Sequence, residues 1–571
     1  MKTIFKTMLL FAAVSSGLCA ITSCSDDDDL VAADALFRPV INESDNIETG
    51  LDENNVPYMI VKWDNYTNAD QYTVKVEAVD GSDSQEITTS ELTCRFNNLL
   101  YDKEYFVYLS SANTKNGLKS KPFSLTTTTP DFPTNLLGLS ATDIIDIAAR
   151  VKWSEGAEYD QLKVLKDEID SLVTEATVTA ADNAAQQKVV YGLKAKTTYR
   201  VEAYQGGRYM GKRRFTTAAA EKFTGAVVDL RGLDEDKAWK WFSTGSTSAY
   251  ANTLDSLIKT QYPDQDFTIV LEGGTRYRIS TIEVPGTTGK IYITTGLSLA
   301  GEAQLGVEGG FRVAPGATLG GMVFNKVAFT DTENKKRTQD THYGSTYVFN
   351  LNQADGNIGL IQFDNSSIKY KRGVCRIQTN AVIDSMVINN CVIDSISGYG
   401  ITNADNAGAN IRNIVLRNTT VSNAEKICVG TKGLQPNSLV VENCTFVYCI
   451  ADNKPFFDFK SSNWEGFADK FIFRNSIIGL AGRNTASPVT TGITGWSGNV
   501  KPECSGLYFT SDLLWTPASA EDPTPKAGFD GVTLPATSDQ LFKSPLTSDF
   551  TIIGSMLGGG GQPKPGDPRW Y

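Results

Sequence analysis

Side chains able to do chemistry in this chain fall into a narrow set. The one histidine, His342, sits in Thr341-His342-Tyr343-Gly344 and reads as a surface or loop residue. The nine cysteines contain no CxxC spacing. Cys19 and Cys24 lie at the start, and the seven others are an odd number, which points away from a disulfide framework or a zinc site. Cations and carboxylates are left. Arg376, Lys426 and Lys460 recur along one stretch, with Asp458 beside the last and Asp394 and Asp405 between the first two. Such cations hold anionic ligands through charge-assisted bonds, and Arg or Lys can act as a base where burial or neighbouring positive charge lowers its pKa. Calcium needs several oxygen ligands at short range, and these carboxylates are too few for a strong claim. No cofactor is expected, calcium entering only with a lyase reaction.

The surroundings narrow the partner. The chain has 571 residues and a formal net charge of −12, with no long Lys/Arg cluster to offset it. That balance argues against nucleic acid. Met1 to Lys6 place two positive charges before a mostly apolar run, Met8 to Ala20, too short for a permanent membrane span but suited to a signal h-region. Ile21-Thr22-Ser23-Cys24 resembles the bacterial lipobox, which implies a signal peptide over 1–23, a lipid on Cys24 and a membrane anchor. Ser25-Asp26-Asp27-Asp28-Asp29 is similar to the export signal of Bacteroidetes lipoproteins. It implies an acidic tether over 24–35 and a place on the outer face of the outer membrane.

Two strand-rich segments come next. Over 36–128, alternating runs such as Tyr58 to Trp63 and Tyr72 to Val76 are broken by Asn, Asp and Gly turns. Leu99 with Tyr105 six residues on, and Trp63 as core tryptophan, resemble the fibronectin type III pattern with its tyrosine corner. Trp153, Leu193 and Tyr199 repeat the pattern over 131–218, with Pro130 and Pro133 marking the junction. These modules imply a spacer.

Residues 232–262 have helical spacing and precede the strand Phe267 to Leu271. With Glu272 to Tyr277 they resemble the start of pectin-lyase-like β-helices, where a helix caps the coil. Hydrophobic strands then end on Asn325, Asn365, Asn390, Asn418, Asn443 and Asn475, the last five separated by 25, 28, 25 and 32 residues. That period signals a solenoid. Each coil needs a sharp turn in which asparagine tolerates the left-handed conformation, so the amides should stack into a ladder. Cys391 and Cys444 share a phase two coils apart, roughly 10 Å at the strand spacing, and read as reduced packing residues. The tail Gly566 to Tyr571 is similar to that of Bacteroidetes surface lipoproteins joining fibronectin-type modules to such a coil. The fold class expected is all-β: two fibronectin type III-like sandwiches, then a right-handed parallel β-helix over 223–571 with an N-terminal capping helix and a C-terminal cap.

In the resembled fold the strand that lines the substrate groove comes after a loop beyond each asparagine turn. Applied here, the groove strands are Thr346 to Asn352, Val374 to Gln378, Tyr399 to Asn403, Lys426 to Gly430 and Phe456 to Lys460. Alternation turns Phe349, Ile377, Ile401, Val429, Phe457 and Phe459 away from the outer wall. Asn350, Asn352, Arg376, Gln378, Thr402, Lys426, Asp458 and Lys460 then face outward, while Tyr399 and Trp464 are ring candidates for stacking on sugars, Tyr399 in the phase of inward Ile401. Three cations over one carboxylate suit an acidic, pectin-like polysaccharide. The resemblance implies a glycan-utilisation setting, beside other uptake proteins at the outer membrane. A polysaccharide lyase using Arg376, Lys426 or Lys460, and an adhesin or scaffold for a protein partner, are the alternatives. Galacturonan hydrolases need paired aspartates and a Gly-His-Gly segment, and pectin methylesterases two aspartates and an arginine. Neither set is found, so both classes are disfavoured.

Overall fold

Strand Gln71–Ala78 alternates half-buried and buried residues along its whole length, the signature of a sheet with one face on a core. The computed structural model describes residues 35–243, 253–332, 346–353, 355–450, 454–459, 469–482, 492–494, 503–514 and 529–571. Cys24, the signal segment, His342, Lys460 and Trp464 lie outside them. The chain divides into two compact units, 1–135 and 136–571.

The first unit holds a sandwich of a three-stranded and a four-stranded antiparallel sheet. Trp63, 4% exposed, packs against Tyr72 with ring centroids 5.5 Å apart. The Tyr105 hydroxyl accepts from the Leu100 N–H at 3.1 Å, which makes the expected corner. The second unit opens with the repeat. There Trp153 is 1% exposed, and the Tyr199 hydroxyl accepts from the Lys194 N–H at 2.9 Å. Both modules are fibronectin type III-like sandwiches.

The second sandwich shares its unit with the coil of strands beyond it, although its sequence reads as a separate module. The reason is a buried seam. Arg231, 3% exposed at its side chain, donates to both oxygens of Asp146, 4% exposed, at 2.7 and 3.1 Å. It also donates to Asp229 at 2.8 Å. Burial alone would lower the pKa of this guanidinium, but its bonds to Asp229 and Asp146 outweigh burial and raise it.

From Ala226–Asp229 to Val532–Thr533 the strands wind into a parallel β-helix of about seven turns with three sheets. In the first sheet, Thr318–Asn325, Asn357–Asp364, Val382–Asn389, Asn410–Arg417, Ser438–Glu442 and Lys470–Ile478 stack in register. At the N-terminal end, Ala238, Trp241, Phe242, Leu254, Leu257 and Ile258 join the coil's hydrophobic core, so helix Glu235–Lys240 and the turns after Thr253 close that end. Within the 232–262 helical stretch, the described residues are helical over Glu235–Lys240 and from Thr253 to Gln261.

Each asparagine after the first lies at the turn into the second sheet with positive φ: Asn365 (48°), Asn390 (53°), Asn418 (48°), Asn443 (53°) and Asn475 (49°). The first is displaced by one. Asn325 pairs in register with Asp364, and Lys326 takes the left-handed position at φ 55°. The ladder still reaches back, because the Asn365 side-chain amide donates to Asn325 at 2.7 Å and that of Asn390 to Asn365 at 2.6 Å. It then steps aside. Asn418 donates to Asn389 at 2.9 Å, while the Asn390 side-chain oxygen accepts from Arg569 of the tail at 2.9 Å. Asn443 resumes the ladder by donating to Asn418 at 3.1 Å.

Asn418→Ala should cost about 2 kcal/mol in urea unfolding, since it loses two amide bonds and puts a Cβ-bearing apolar residue in the left-handed region. Asn418→Gly should cost less, because it spares the backbone term. Equal losses for the two would show that the turn conformation contributes nothing.

Immediately after the turns, Ser366, Cys391, Thr419, Cys444 and Ser476 form one buried column. Thr419 separates the two cysteines, as their spacing predicts. Both thiols donate to backbone carbonyls, Cys391 to Asn389 at 3.2 Å and Cys444 to Glu442 at 3.3 Å, standing in for hydroxyls. Burial pushes Cys391 up to about 12. All seven described cysteines are free.

Candidate functional site

The third sheet carries the predicted groove strands as Tyr347–Leu351, Gly373–Ile377, Thr402–Ala404, Cys428–Val429 and Phe457–Asp458. Each strand enters with two consecutive core residues, Val348 and Phe349, Val374 and Cys375, Ile401 and Thr402, Ile427 and Cys428, Phe456 and Phe457, all 0–1% exposed. Alternation begins only after this pair. One register row is therefore Phe349, Cys375, Thr402, Cys428 and Phe457, on the core side. The next row is Asn350, Arg376, Asn403, Val429 and Asp458, on the outer side.

Asn350, Arg376 and Asp458 thus occupy the expected outer face, and Phe349, Ile377, Ile401, Phe457 and Phe459 belong to the core. Two assignments are reversed. Thr402 points inward between Cys375 and Cys428, and Asn403 takes its outer place. Val429 lies on the outer row and outside the core cluster, although it is only 4% exposed. Counting back from Ile401 and Val429 misses the doubled inward residues. The strands here are too short to reveal them.

Gln378 lies at the end of its strand, where its side-chain amide donates to the Asn350 side-chain oxygen at 2.6 Å, so these two predicted residues meet. Asn352 is exposed just past its strand. Lys426 precedes Ile427 and lies before the outer row, where its Nζ is 3.7 Å from the Asp458 carboxylate. The single row of three cations is therefore not formed by the described residues: Arg376 is on it, Lys426 is beside it, and Lys460 falls outside them.

What the coil assembles instead is centred on Tyr399. This half-buried residue is not packed inward with Ile401. The ring lies 4.4 Å from the guanidinium carbons of both Arg372 and Arg376, and meets Tyr347 edge-on at 5.5 Å. Arg372 also donates to the Tyr399 hydroxyl at 3.2 Å and Arg376 to that of Tyr347 at 3.2 Å. Gly373 makes this approach feasible, because a Cβ there would sit 3.0 Å from Tyr399 Cβ and 3.1 Å from the Tyr347 ring.

Asp405, whose side chain is 15% exposed, accepts from Arg376 Nε at 3.0 Å and lies 2.7 Å from Lys432 Nζ. Burial would raise its pKa, but the bonds from Lys432 and Arg376 prevail and hold it below the ordinary carboxylate range. Asp405 is therefore ionised at neutral pH. Arg376 is likewise shifted: burial would lower its pKa, and the bond to Asp405 raises it. A base needs the opposite shift. Arg372, Arg376 and Lys432 thus gather around a half-buried ring, with Asp405 and, close to Gly398, Glu425 as the neighbouring carboxylates. Among the described residues, no group of three or more His, Cys, Asp or Glu could hold a metal ion.

Arg372, Tyr347 and Lys432 were outside the predicted set. Arg372-Gly373 and Tyr399-Gly400 carry a usable signal: each pair lies at the entry to a groove strand, and the Tyr399 N–H donates to the Arg372 carbonyl at 3.3 Å, so the coils place them side by side.

Residues 276–424, which include Arg372, Arg376, Tyr399 and Asp405, match the model of a family described as a domain of unknown function (DUF4957). Among solved structures, a two-domain fibronectin type III segment from chicken tenascin is similar at 16% identity over 31% of this chain and 100% of its own, with a TM-score of 0.16. The chicken CNTN1 FN1-FN3 domains are similar at 15% identity over 33% of this chain and 69% of theirs, with a TM-score of 0.15. No curated protein matches the chain.

Proposed function

We propose that this protein is a lipid-anchored surface protein that binds an acidic, pectin-like polysaccharide in a glycan-utilisation system. On this reading Cys24 carries the lipid, the sandwiches are spacers, and the third sheet of the coil holds the glycan. One observation carries it: the Tyr399 ring, with Arg372 and Arg376 each 4.4 Å away, lies on the outer side of the third sheet. A sugar ring stacks on an aromatic face, and a uronate carboxylate takes the guanidinium donors. Arg376 as a lyase base is disfavoured by its raised pKa, which suits it to neutralising a carboxylate.

The test is affinity electrophoresis of the ectodomain through gels containing polygalacturonate or a neutral dextran, with absorbance of unsaturated products followed in parallel. Retardation by polygalacturonate alone, without product, is expected. Rising absorbance would replace binding by cleavage, and no retardation by any polysaccharide would favour a protein partner. Tyr399→Ala should weaken retention roughly three- to tenfold, the worth of one stacking contact.

A further inference from the structure

A second cavity lies away from this patch, at the capped end of the coil. It is an open cleft of about 570 Å³ lined by Glu235, Asp236, Trp239, Arg276 and Thr332. That volume suits a small ligand. Helix Glu235–Lys240 supplies the two carboxylates and the indole, because its buried Ala238 anchors one face in the core and leaves Trp239 half-buried at the side. The opposite wall is fixed independently. Arg276 opens strand Arg276–Val284, its Nη2 donates to the Thr332 carbonyl at 2.9 Å, and its guanidinium carbon stands 5.7 Å from the centre of the Trp239 ring.

We propose that this cavity is a binding site for a neutral saccharide unit, distinct from the Tyr399 patch. An indole surface takes the C–H face of a sugar, while carboxylates and a guanidinium take its hydroxyls as acceptors and donors. Charge decides against an acidic sugar. Two carboxylates line the cavity, Lys240 pairs with Asp236 at 2.7 Å, and Glu235 remains for the ligand, opposite Arg276. A carboxylate-bearing ligand would face Glu235 with repulsion, whereas hydroxyls bridge Glu235 and Arg276.

The experiment is saturation-transfer NMR on the ectodomain with neutral galacto-, arabino-, xylo- and gluco-oligosaccharides, repeated with Trp239→Ala and Glu235→Gln. At least one neutral oligosaccharide should show transfer in the wild type, lose it in Trp239→Ala and weaken at least threefold in Glu235→Gln. Retardation by polygalacturonate should be the same in all three proteins. Absence of transfer from the whole panel, or transfer unchanged by both variants, would overturn the proposal. Glu235 is exposed on the first turn of its helix, so its variant keeps the test valid if Trp239→Ala disturbs the cap. Failure of the acidic-glycan reading would appear only in the polygalacturonate gels.

Discussion

Arg231→Met is expected to lower the stability of the coil and its attached sandwich by about 3–5 kcal/mol, a large share of what a folded domain has to lose. The guanidinium is 3% exposed and satisfies Asp146, which is 4% exposed, through two bonds. Removing it leaves a carboxylate in a dry seam with its main counter-charge gone. Asp229, 37% exposed at its side chain, can turn to water and contributes less to the loss. The control separates the penalty of an orphaned charge from the worth of the pair. Arg231→Met combined with Asp146→Leu should recover most of the stability, because a well-packed apolar pair often replaces a buried ion pair at little cost. Urea unfolding followed by tryptophan fluorescence reads both. A single variant no less stable than wild type would show that the seam does not depend on this pair.

The other large effect is on binding. Arg372→Gln combined with Arg376→Gln should weaken polygalacturonate binding on the order of 100-fold, since each charge-assisted bond is worth about 1.5–3 kcal/mol. Folding should lose about 1–2 kcal/mol, the cost of the Arg376 bonds to Asp405 and to the Tyr347 hydroxyl. Arg372 is exposed, and Asp405 keeps Lys432 at 2.7 Å when Arg376 is replaced. Raising the salt concentration should weaken the wild type and leave the double variant's residual binding almost flat. Wild-type affinity in the double variant would show that these arginines do not hold the glycan.

The architecture was legible because two of its demands fall on few residue types. Each coil must turn in the left-handed region, and Asn365, Asn390, Asn418, Asn443 and Asn475 mark those turns directly. Each sandwich needs its corner tyrosine, and Tyr105 and Tyr199 both accept the backbone N–H that defines it. Lys326 shows the limit: a lysine holds the same turn when neighbouring coils enforce it, so the first asparagine of the pattern falls one residue before the turn.

The site was legible only in part. Asn350, Arg376 and Asp458 follow from alternation, but Thr402 and Val429 do not, because two inward residues precede each outer position and no single-strand pattern announces them. Arg372 and Tyr399 lie just before their strands, at positions set by the stacking of Gly373 against Gly400, and Lys432 arrives from a loop. Contacts made between coils depend on loop lengths that the period leaves free.

The proposed contact of a polyanionic glycan with the coil is read most directly by hydrogen–deuterium exchange of the protein with and without polygalacturonate. Slower exchange confined to peptides spanning 372–378 and 399–405, absent with neutral dextran, is the predicted result. Protection confined to the sandwiches, or no protection where retardation is seen, would contradict it.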